Sequence, residues 1–441
     1  MTGTSGGSAG IYDVIVVGSG AAGSTAAIAA ARSGASTLLI EKLPFLGGNS
    51  TAVLDTFYGF YTPGEQSMKV VGGVADDVVA GLRELGPVLE RPNTYGAGTG
   101  VTYLAEHLKV VWESLVIGAG AAVLLHGFVQ DVEVVDGRVA SLLVATKAGL
   151  RRVAASVVVD ASGDADVCFH AGFEYELAGA VTDAQTLTTT FRMANVDSER
   201  RKSVDKTTLH ALMAEAAESG DFELPRREGS DHITPIEGVT ATIMTRLDHV
   251  RRDPDGTVRN ASDPEILTES EIAGRRQALE YARFLVDRVP GYESASLVAL
   301  GSQIGMRETR RVYGDYRVTR EDVLNARQFD DQIGLCGAPI EDHQPGIGTK
   351  WEYLPDGSAV GIPFSSLVVR DAVNVLAAGR CFSATHDAQA SIRSMAQCMA
   401  MGQAAGTAAA MAMASAGEVR EVEIAELQDS LRATGALLES G

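Results

Sequence analysis

The sequence predicts an α/β protein with one domain built on a parallel β-sheet and a second domain of mixed α+β type. Three observations lead to this prediction. Short β-branched runs end in glycine near the start, in the middle and near the end of the chain. Strand patterns separated by tight turns occupy residues 122–160 and indicate a small β-meander inserted into the parallel sheet. Between Phe173 and Ala359 the pattern changes to scattered strands and a long amphipathic helix.

The amino-acid composition limits the number of domains and the classes of partner that this protein can have. The chain has 441 residues, of which 45% are hydrophobic, and this is enough for two domains that share an interface. Lys and Arg number 37 against 57 Asp and Glu, so the net charge is −20 and polyanions such as nucleic acid or anionic membrane are not expected partners. The leader 1–10 and the Ala-rich stretch 395–414 resemble neither a signal nor a membrane span. We expect a cytoplasmic protein, and an oligomer is compatible with these features.

Four cysteines, Cys168, Cys336, Cys381 and Cys398, form no C-x-x-C pair and have no histidine at metal-ligand spacing. Free, buried thiols in a reducing compartment are the simplest interpretation. We therefore expect no metal site.

The stretch YDVIVVGSGAAG predicts a strand that enters a glycine turn. Val14–Val17 are β-branched, and Gly18, Gly20 and Gly23 follow at G-x-G-x-x-G spacing, before an Ala-rich helix over Ala21–Ser33. In this motif the first glycine permits the tight turn, the second lets the backbone approach a pyrophosphate, and the third lets the helix lie close to the strand. The helix N-terminus then offers free N–H groups to phosphates. The pattern indicates a Rossmann-like adenine-dinucleotide site.

A second strand, Thr37–Ile40, ends in Glu41, a carboxylate placed to accept hydrogen bonds from ribose hydroxyls. Lys42 follows, and the loop after it supplies Gly47, Gly48, Asn49 and Ser50, whose donors suit phosphate and ribityl groups. The aromatic segment Val53–Tyr61 is compatible with an apolar substrate site and equally with core packing.

The next elements are predicted from hydrophobic periodicity. We expect helices over Gly73–Leu85 and around Leu104–Leu115, separated by an irregular loop over Pro87–Gly100. The meander is predicted as three strands, Ala122–Val129, Arg138–Thr146 and Arg151–Asp160. Its last strand runs into Ala161, Gly163 and Asp164, which we expect beside the first glycine turn.

Further along, Thr186–Met193 is strand-like, and Thr268 with Glu271 forms a capping-box pattern that predicts a helix start at Thr268. Near the end of the chain, a strand over Val373–Ala378 leads into Gly379 and Arg380. A small-residue helix is then predicted from about Ser391 to Met413, able to pack close to a flat partner, and an amphipathic helix over Val419–Leu438.

Taken together, these segments resemble the FAD-dependent oxidoreductases of the glutathione-reductase-like, two-dinucleotide-binding-domain type. The resemblance extends from Asp13 to Ala414. It rests on four stretches, DVIVVGSGAAGSTAAIAAARSGASTLLIEKLPFLGGNST, VVVDASGDADV, IGMRETRRVYGDY and AAGRCFSATHDAQASIRSMAQCMAMGQAAGTAAA.

The resemblance implies a discontinuous FAD-binding domain over 11–55, 101–175 and 360–415. It also implies a substrate domain over 56–100 and 176–359, and a C-terminal helical tail over 416–441. The cofactor-binding residues it implies are Gly18, Gly20, Ala22, Gly23, Glu41, Lys42, Gly47, Gly48, Asn49, Ser50, Val129, Ala161, Gly163, Asp164, Gly379, Arg380, Ser391 and Arg393.

Within this set, the resemblance places the first glycines at the pyrophosphate, Glu41 at the ribose and the Val129 backbone at adenine. The helix beginning near Ser391–Arg393 would aim its positive end at flavin O2 and N1. Many relatives carry an acid where this chain has Arg380, which leaves the ribityl contact open. The loop Gly47–Thr51 has no histidine for a covalent link, so noncovalent FAD is expected.

For catalysis, hydride transfer needs a base and a cation that holds the substrate's polar group. His386 is the first candidate base, although it could equally cap the following helix beside Thr385, and His343 is the second. Arg307, Arg310, Arg311 and Arg393 could bind a carboxylate or enolate oxygen. The alternative for the Arg307–Arg311 run is a strand edge paired internally, with Arg307 bound to Glu308 or Asp315. Tyr313 or Tyr316 could act as an acid.

The favoured hypothesis is a dehydrogenase or oxidase that passes a hydride from a small organic substrate to FAD and then electrons to oxygen or a carrier. A flavin-dependent isomerase without net redox turnover is the alternative. A tRNA-modifying flavoprotein is disfavoured by the charge of −20.

Overall fold

The computed structural model describes residues 10–64, 67–91, 100–346 and 348–439. Most of the predicted leader, and residues 92–99 of the predicted loop, lie outside these ranges. The strands are β1 (Gly10–Val17), β2 (Thr37–Ile40), β3 (Thr56–Tyr58), β4 (Leu89–Arg91), β5 (Gly100–Thr102), β6 (Ala122–Leu124), β7 (Phe128–Val135), β8 (Arg138–Thr146), β9 (Gly149–Asp160), β10 (Tyr175–Leu177), β11 (Phe191–Ala194), β12 (Ser230–Ile233), β13 (Thr240–Ile243), β14 (Arg251–Arg252), β15 (Val258–Arg259), β16 (Ser296–Leu300), β17 (Arg310–Val312), β18 (Gln332–Cys336), β19 (Ile340–Asp342), β20 (Lys350–Glu352), β21 (Val360–Pro363) and β22 (Val375–Ala377).

The α-helices of the described residues are α1 (Ala21–Arg32), α2 (Asn49–Ala52), α3 (Val74–Leu85), α4 (Ala105–Gly118), α5 (Asp166–Ala171), α6 (Ser198–Lys202), α7 (Lys206–Ser219), α8 (Pro264–Arg288), α9 (Arg320–Leu324), α10 (His386–Ile392), α11 (Met395–Met411) and α12 (Ile424–Ala433). No helix in the described part of the chain is long and apolar enough to cross a membrane.

The main sheet has the order β6-β2-β1-β9-β8-β7, and β22 also pairs with β9. Strands β6, β2, β1, β9 and β22 are mutually parallel where they pair, so the three predicted glycine-terminated strands become neighbours. Their registers align Val17 with Asp160 and Asp160 with Ala377. The predicted α/β class and the assembly from separated segments are confirmed.

The meander differs from the prediction in its first strand. Residues 122–129 do not form one strand, because His126 adopts a positive φ of 55° and turns the chain between β6 and β7. β6 joins the parallel side beside β2, and Val129 lies in the antiparallel β7. The last strand, β9, is shared, since it pairs with β8 on the meander side and with β1 in the parallel sheet.

Helix α11 packs against α1 with almost no space between the two backbones. A Cβ added at Gly402 would lie 2.1 Å from the Ala22 carbonyl oxygen, and one at Gly406 would lie 2.1 Å from that of Ala26. The close partner of these small residues is therefore α1. The helix predicted from Ser391 to Met413 is also wrong in its start, because the chain breaks at Arg393 and Ser394 into α10 and α11.

A second layer contains the sheet β12-β13-β11-β16 and the helices α7 and α8. Its apolar cluster, which includes Phe191, Met213, Tyr281 and Phe284, lies inside the predicted substrate segment 176–359, although the domain boundaries themselves stay a prediction.

Four predicted boundaries outside the main sheet need correction. The helix α8 starts at Pro264 and not at Thr268, because Asp263 accepts the N-cap hydrogen bonds and a proline follows it. The first half of the predicted strand 186–193 makes only isolated bridges. Part of the predicted loop 87–100 is the strand β4, which pairs with β5. The predicted C-terminal helix is present as α12 and is shorter than expected.

Candidate functional site

A cleft enclosing about 1010 Å³ lies at the carboxyl edge of the main sheet, where β1, β9 and β22 end side by side. Its floor is made by the turns that follow these strands, with Gly18, Ala161 and Ala378 at the first positions. Ligands of open α/β sheets bind at this edge, because the loops and helix N-termini converge there.

The three glycines of the G-x-G-x-x-G motif have different surroundings. Gly18 has φ +89°, and an added Cβ would lie 2.5 Å from the Ala161 carbonyl oxygen. A Cβ at Gly23 would lie 1.7 Å from the Gly18 carbonyl oxygen, so this glycine seats α1 against the turn. At Gly20 no protein atom lies within 4 Å of an added Cβ, and the open space there belongs to the cleft. Of these three glycines, Gly20 is the one at which a ligand in the cleft can approach the backbone closely.

The N-terminus of α1 faces this opening. Gly20 is its N-cap residue, Ala21 and Ala22 line the cleft, and the first turn carries no acidic side chain. The unpaired N–H groups and the positive end of the helix dipole therefore favour an anion such as a pyrophosphate.

Glu41 lines the cleft at the end of β2 and is tied to the glycine turn. One carboxylate oxygen accepts hydrogen bonds from the backbone N–H (2.8 Å) and hydroxyl (2.6 Å) of Ser19, and the other accepts from the N–H of Leu43 (2.8 Å). A carboxylate has about four acceptor positions, so one remains for a ribose hydroxyl.

The loop after β2 closes over the same turn. Gly47 donates its N–H to the Ser19 carbonyl (2.8 Å), while Gly48, Asn49 and Ser50 line the cleft. The Asn49 amide also donates to the Met306 carbonyl (3.2 Å), which connects this loop to the second layer.

Arg380 forms an ion pair with Asp164 at 2.9 Å, and the same carboxylate oxygen accepts the Thr309 hydroxyl at 2.6 Å. Although burial opposes ionisation, Arg380 and Lys42 hold the pKa of Asp164 below its ordinary value. Arg380, which follows β22, therefore neutralises an acid from the turn after β9.

Most of the predicted cofactor residues come together here. The cleft is lined by Gly18, Gly20, Ala22, Glu41, Lys42, Gly48, Asn49, Ser50, Val129, Ala161, Gly163, Asp164, Gly379, Arg380 and Arg393. Gly23 and Gly47 support the turn from behind. Ser391 lies elsewhere, in α10, where its hydroxyl donates to the Ala338 carbonyl at 2.6 Å.

A second cavity, enclosing about 660 Å³, lies between the main sheet and the second layer. We call it the substrate cavity. It shares five lining residues with the cofactor cleft, namely Asn49, Met306, Arg380, Arg393 and Met395. The two spaces therefore border the same residues near the N-terminus of α11, and we call this place the junction.

Two arginines of the predicted catalytic set line the substrate cavity. Arg307 donates to the Thr186 carbonyl and the Thr188 hydroxyl, both at 2.7 Å. Arg393 donates to the Gln185 side chain (2.8 Å), and its Nε is buried without a hydrogen-bond partner among the described residues. Burial and the neighbouring Arg393 lower the pKa of Arg307, while burial lowers that of Arg393 itself.

Glu341 is the acidic residue of this cavity, and sequence reasoning missed it. Its Oε1 lies 3.0 Å from Nε2 of His343, which is buried behind it. Burial would raise the pKa of Glu341, but the hydrogen bond with His343 and the positive charges of Arg393 and Arg307 hold it below its ordinary value. Burial and Arg307 hold the pKa of His343 well below its ordinary value, so this histidine is neutral. Glu341 lies two residues before the candidate base His343, and strand alternation puts side chains two residues apart on one face. This spacing could have identified Glu341 from the sequence.

His386 lies outside the lining of both cavities. It is buried at the first position of α10, which Thr385 caps, with Nδ1 3.0 Å from both Glu308 oxygens and Nε2 3.2 Å from Asp342 Oδ1. The structure therefore does not bring His386 together with Arg307 and Arg393.

The Arg307–Arg311 run is paired mainly with partners other than those predicted. Arg310 pairs with Asp166, and Arg311 pairs with Glu308 and Glu176. Arg307 pairs with neither Glu308 nor Asp315, because Glu308 is held by Arg311 and His386 and Asp315 is held by Arg420.

The aromatic residues divide between core and cavity. Tyr316 donates to Asp322 (2.8 Å), outside both cavities. In the aromatic segment, Phe57 and Phe60 are core residues, whereas Tyr58 lines the substrate cavity. Within that segment, core packing therefore describes Phe57 and Phe60, and lining of a cavity describes Tyr58.

All four cysteines are free and buried, as predicted. Within the described ranges no group of His, Cys, Asp and Glu could hold a metal ion.

Comparisons with known proteins identify the family of this chain. The model of a family described as FAD dependent oxidoreductase matches residues 13–431. The chain is similar to an NADH:fumarate oxidoreductase of Klebsiella pneumoniae, with 62% identity over 39 residues, 9% of this chain and 4% of that protein. It is also similar to a digeranylgeranylglycerophospholipid reductase of Thermoplasma volcanium, with 32% identity over 164 residues, 34% of this chain and 39% of that protein. The matches thus span less than half the length of these relatives.

Among solved structures, the chain is similar to a geranylgeranyl bacteriochlorophyll reductase-like protein from Thermoplasma acidophilum. The sequence identity is 16% and the TM-score is 0.49, with 96% of this chain and 83% of that one covered.

Proposed function

Since this chain belongs to the FAD-dependent oxidoreductase family and is an enzyme that uses FAD, we propose that it transfers a hydride from a small organic substrate to noncovalently bound FAD. The observation that carries the proposal is the junction, where the same five residues line both the substrate cavity and the cofactor cleft. A substrate in one space and the reactive end of a cofactor in the other would be in contact there, as hydride transfer requires.

In this proposal, the turn from Gly18 to Ala22 binds the pyrophosphate and Glu41 accepts a ribose hydroxyl. The flavin end reaches the junction near Asn49 and Met395. FAD, when bound, supplies the two-electron acceptor. The cleft fits it, because Gly20 leaves the backbone accessible and α1 presents its positive end.

The position of the α11 N-terminus supports hydride transfer from the substrate to the flavin. Met395 is the first residue of this 17-residue helix and lines both cavities. The positive end of a helix stabilises negative charge that develops nearby. Together with Arg393, it would therefore favour the reduced, anionic form of the flavin.

The proposed substrate site combines polar donors with an apolar wall. Arg307 and Arg393 supply N–H donors, while Val53, Leu54 and Tyr58 supply the apolar wall. The electrons would then pass to oxygen or to a carrier. A flavin-dependent isomerase is the alternative, because the same junction would also serve a reaction in which electrons return to the substrate.

Anaerobic mixing separates these two functions. The purified protein, loaded with FAD, is mixed with a panel of alcohols, amines and hydroxy acids, and the visible absorbance of the flavin is followed. We expect bleaching with one or more substrates and an equimolar oxidised product, and we expect acid precipitation to release the flavin. Conversion to an isomer while the flavin stays oxidised would contradict net hydride transfer. A colourless protein that binds NAD and cannot be loaded with FAD would contradict the whole proposal.

A further inference from the structure

The substrate cavity is lined by side chains of both charge signs, and their arrangement restricts which substrates can bind. Arg307 and Arg393 line it with cationic groups. Their hydrogen-bond partners are all neutral, namely the backbone carbonyls of Thr186 and Glu341, the Thr188 hydroxyl and the Gln185 side chain. Among the described residues, neither guanidinium group donates to a carboxylate oxygen or forms an ion pair. A buried charge without an ion-pair partner is costly, so an anionic ligand would be stabilised here.

Glu341 supplies the opposite charge. Its carboxylate lies 3.0 Å from Nε2 of the neutral His343, and its side chain keeps 20% of its surface accessible although its neighbours in the strand are buried. With a low pKa, the carboxylate is ionised and can only accept hydrogen bonds. A substrate group that meets Glu341 must therefore be a donor.

The net charge favours one class of compound. Two arginines and one glutamate leave a single positive charge, since His343 is neutral and Arg380 is paired with Asp164. A monoanion neutralises this charge, whereas a zwitterion does not. A carboxylate with a hydroxyl on the adjacent carbon provides both the anion for the arginines and the donor for Glu341.

We propose that the substrate is a 2-hydroxy acid, that Arg307 and Arg393 bind its carboxylate, and that Glu341 is the catalytic residue that takes the hydroxyl proton. This inference rests on the proposed function, which supplies FAD as the oxidant. The substrate O–H bond breaks and its proton goes to Glu341. The adjacent C–H bond breaks and its hydrogen leaves with both electrons to FAD, so the C–O single bond becomes a carbonyl and the product is a 2-oxo acid.

Binding of the substrate would activate the base. In the empty cavity the two arginines hold the pKa of Glu341 down, and this makes the carboxylate a weak base. The substrate carboxylate offsets their charge, and the carboxylate of Glu341 becomes more basic only when the substrate is in place. His343 acts as a positioning residue, because its hydrogen bond orients Glu341.

The test uses the FAD-loaded protein and matched small molecules. Lactate and 2-hydroxyoctanoate carry both groups, propane-1,2-diol lacks the carboxylate, propionate lacks the hydroxyl, and alanine has an amine in its place. We expect the 2-hydroxy acids to reduce the flavin and the diol and alanine not to reduce it. We expect propionate and pyruvate to bind without reaction and to perturb the flavin absorbance.

Variants separate the roles. Glu341→Gln should slow flavin reduction by about 100-fold or more, while the dissociation constant of pyruvate changes by only a few-fold, and Glu341→Asp should restore part of the rate. Arg393→Gln should weaken pyruvate binding by about 10- to 100-fold. Glu269→Gln, which alters a glutamate with an exposed side chain on α8, is the matched control and should leave rate and binding unchanged. Retained FAD content in each variant shows that the protein is folded.

The outcomes distinguish the two levels of the proposal. If alcohols or amines without a carboxylate reduce the flavin and 2-hydroxy acids do not, the oxidoreductase function stands and the substrate assignment is overturned. If neither pyruvate nor propionate perturbs the flavin of the unaltered protein, the carboxylate site is overturned. If Glu341→Gln reduces flavin at the original rate, Glu341 is not the base.

Discussion

At the scale of single residues, Arg393 has the most consequential position in the molecule. It borders both cavities and donates to Gln185, and its Nε has no hydrogen-bond partner among the described residues. Its place in the two-residue break between α10 and α11 lets it face the junction, which a residue inside a continuous helix would not do.

Asp166, in the cofactor cleft, provides a pH prediction. Burial, Asp164 and Asp160 raise its pKa to about 7, against the attraction of Lys42 and Arg310. In the unfolded chain an aspartate has a pKa near 4, so between about pH 4 and 7 the folded protein keeps a proton that the unfolded chain has lost. The free energy of unfolding should therefore fall as pH rises through this window, by up to about 1.4 kcal/mol per pH unit.

Denaturant unfolding of the FAD-free protein at several pH values measures this slope. Asp166→Asn should reduce it, while Asp371→Asn, at an exposed site, should not. Equal slopes for the Asp166 variant and the unaltered protein over pH 4 to 7 would contradict the assignment.

Residue roles were the least predictable part of the site. A histidine invites assignment as a base, yet His386 is enclosed by Glu308 and Asp342 and His343 is covered by Glu341. These arrangements come from contacts between residues far apart in the chain, which local patterns do not contain. Glu341 resembles any strand glutamate until the fold places it opposite two arginines.

At the scale of elements, the glycine turn and α1 form one unit in which cofactor binding and helix packing depend on different glycines. Gly20→Ala introduces a methyl group into the open space of the cleft without touching protein, whereas Gly23→Ala places one against the Gly18 carbonyl. We expect Gly20→Ala to weaken FAD binding by about 10- to 100-fold and to change the stability of the FAD-free protein by less than about 0.5 kcal/mol. Gly23→Ala should destabilise the fold by about 3 kcal/mol.

Fluorescence titration with FAD and chemical unfolding give the two quantities. FAD binding by Gly20→Ala at the original affinity would show that the pyrophosphate lies elsewhere. Equal stability of Gly23→Ala and the unaltered protein would show that α1 can move away from the turn.

Elements with strong local signals were predicted well. Strand β2, a short continuous apolar run, and strand β8 of the meander have the predicted bounds, because in both the hydrophobic pattern ends where a turn begins. The start of α8 was missed because Asp263 and Pro264 provide a better N-terminus than the Thr268 pattern. The break before α11 has no proline or glycine to announce it.

At the scale of the whole molecule, the enzyme is organised around a cleft and a cavity that share lining residues at the carboxyl edge of the main sheet. Three separated strands, β1, β9 and β22, build the cofactor cleft, and the second layer closes the substrate cavity above it. The sequence predicted the cleft because each strand ends in a readable glycine turn. It could not predict the substrate cavity, whose wall combines residues from α2, β3, β13, β19 and α11.

A structure of the protein with FAD bound tests the central claim most directly. We predict that the isoalloxazine ring lies at the junction lined by Asn49, Met306, Arg380, Arg393 and Met395, with one face open to the substrate cavity and the pyrophosphate at Gly20. A ring directed into solvent, or separated from Arg307 and Glu341 by protein, would contradict the account.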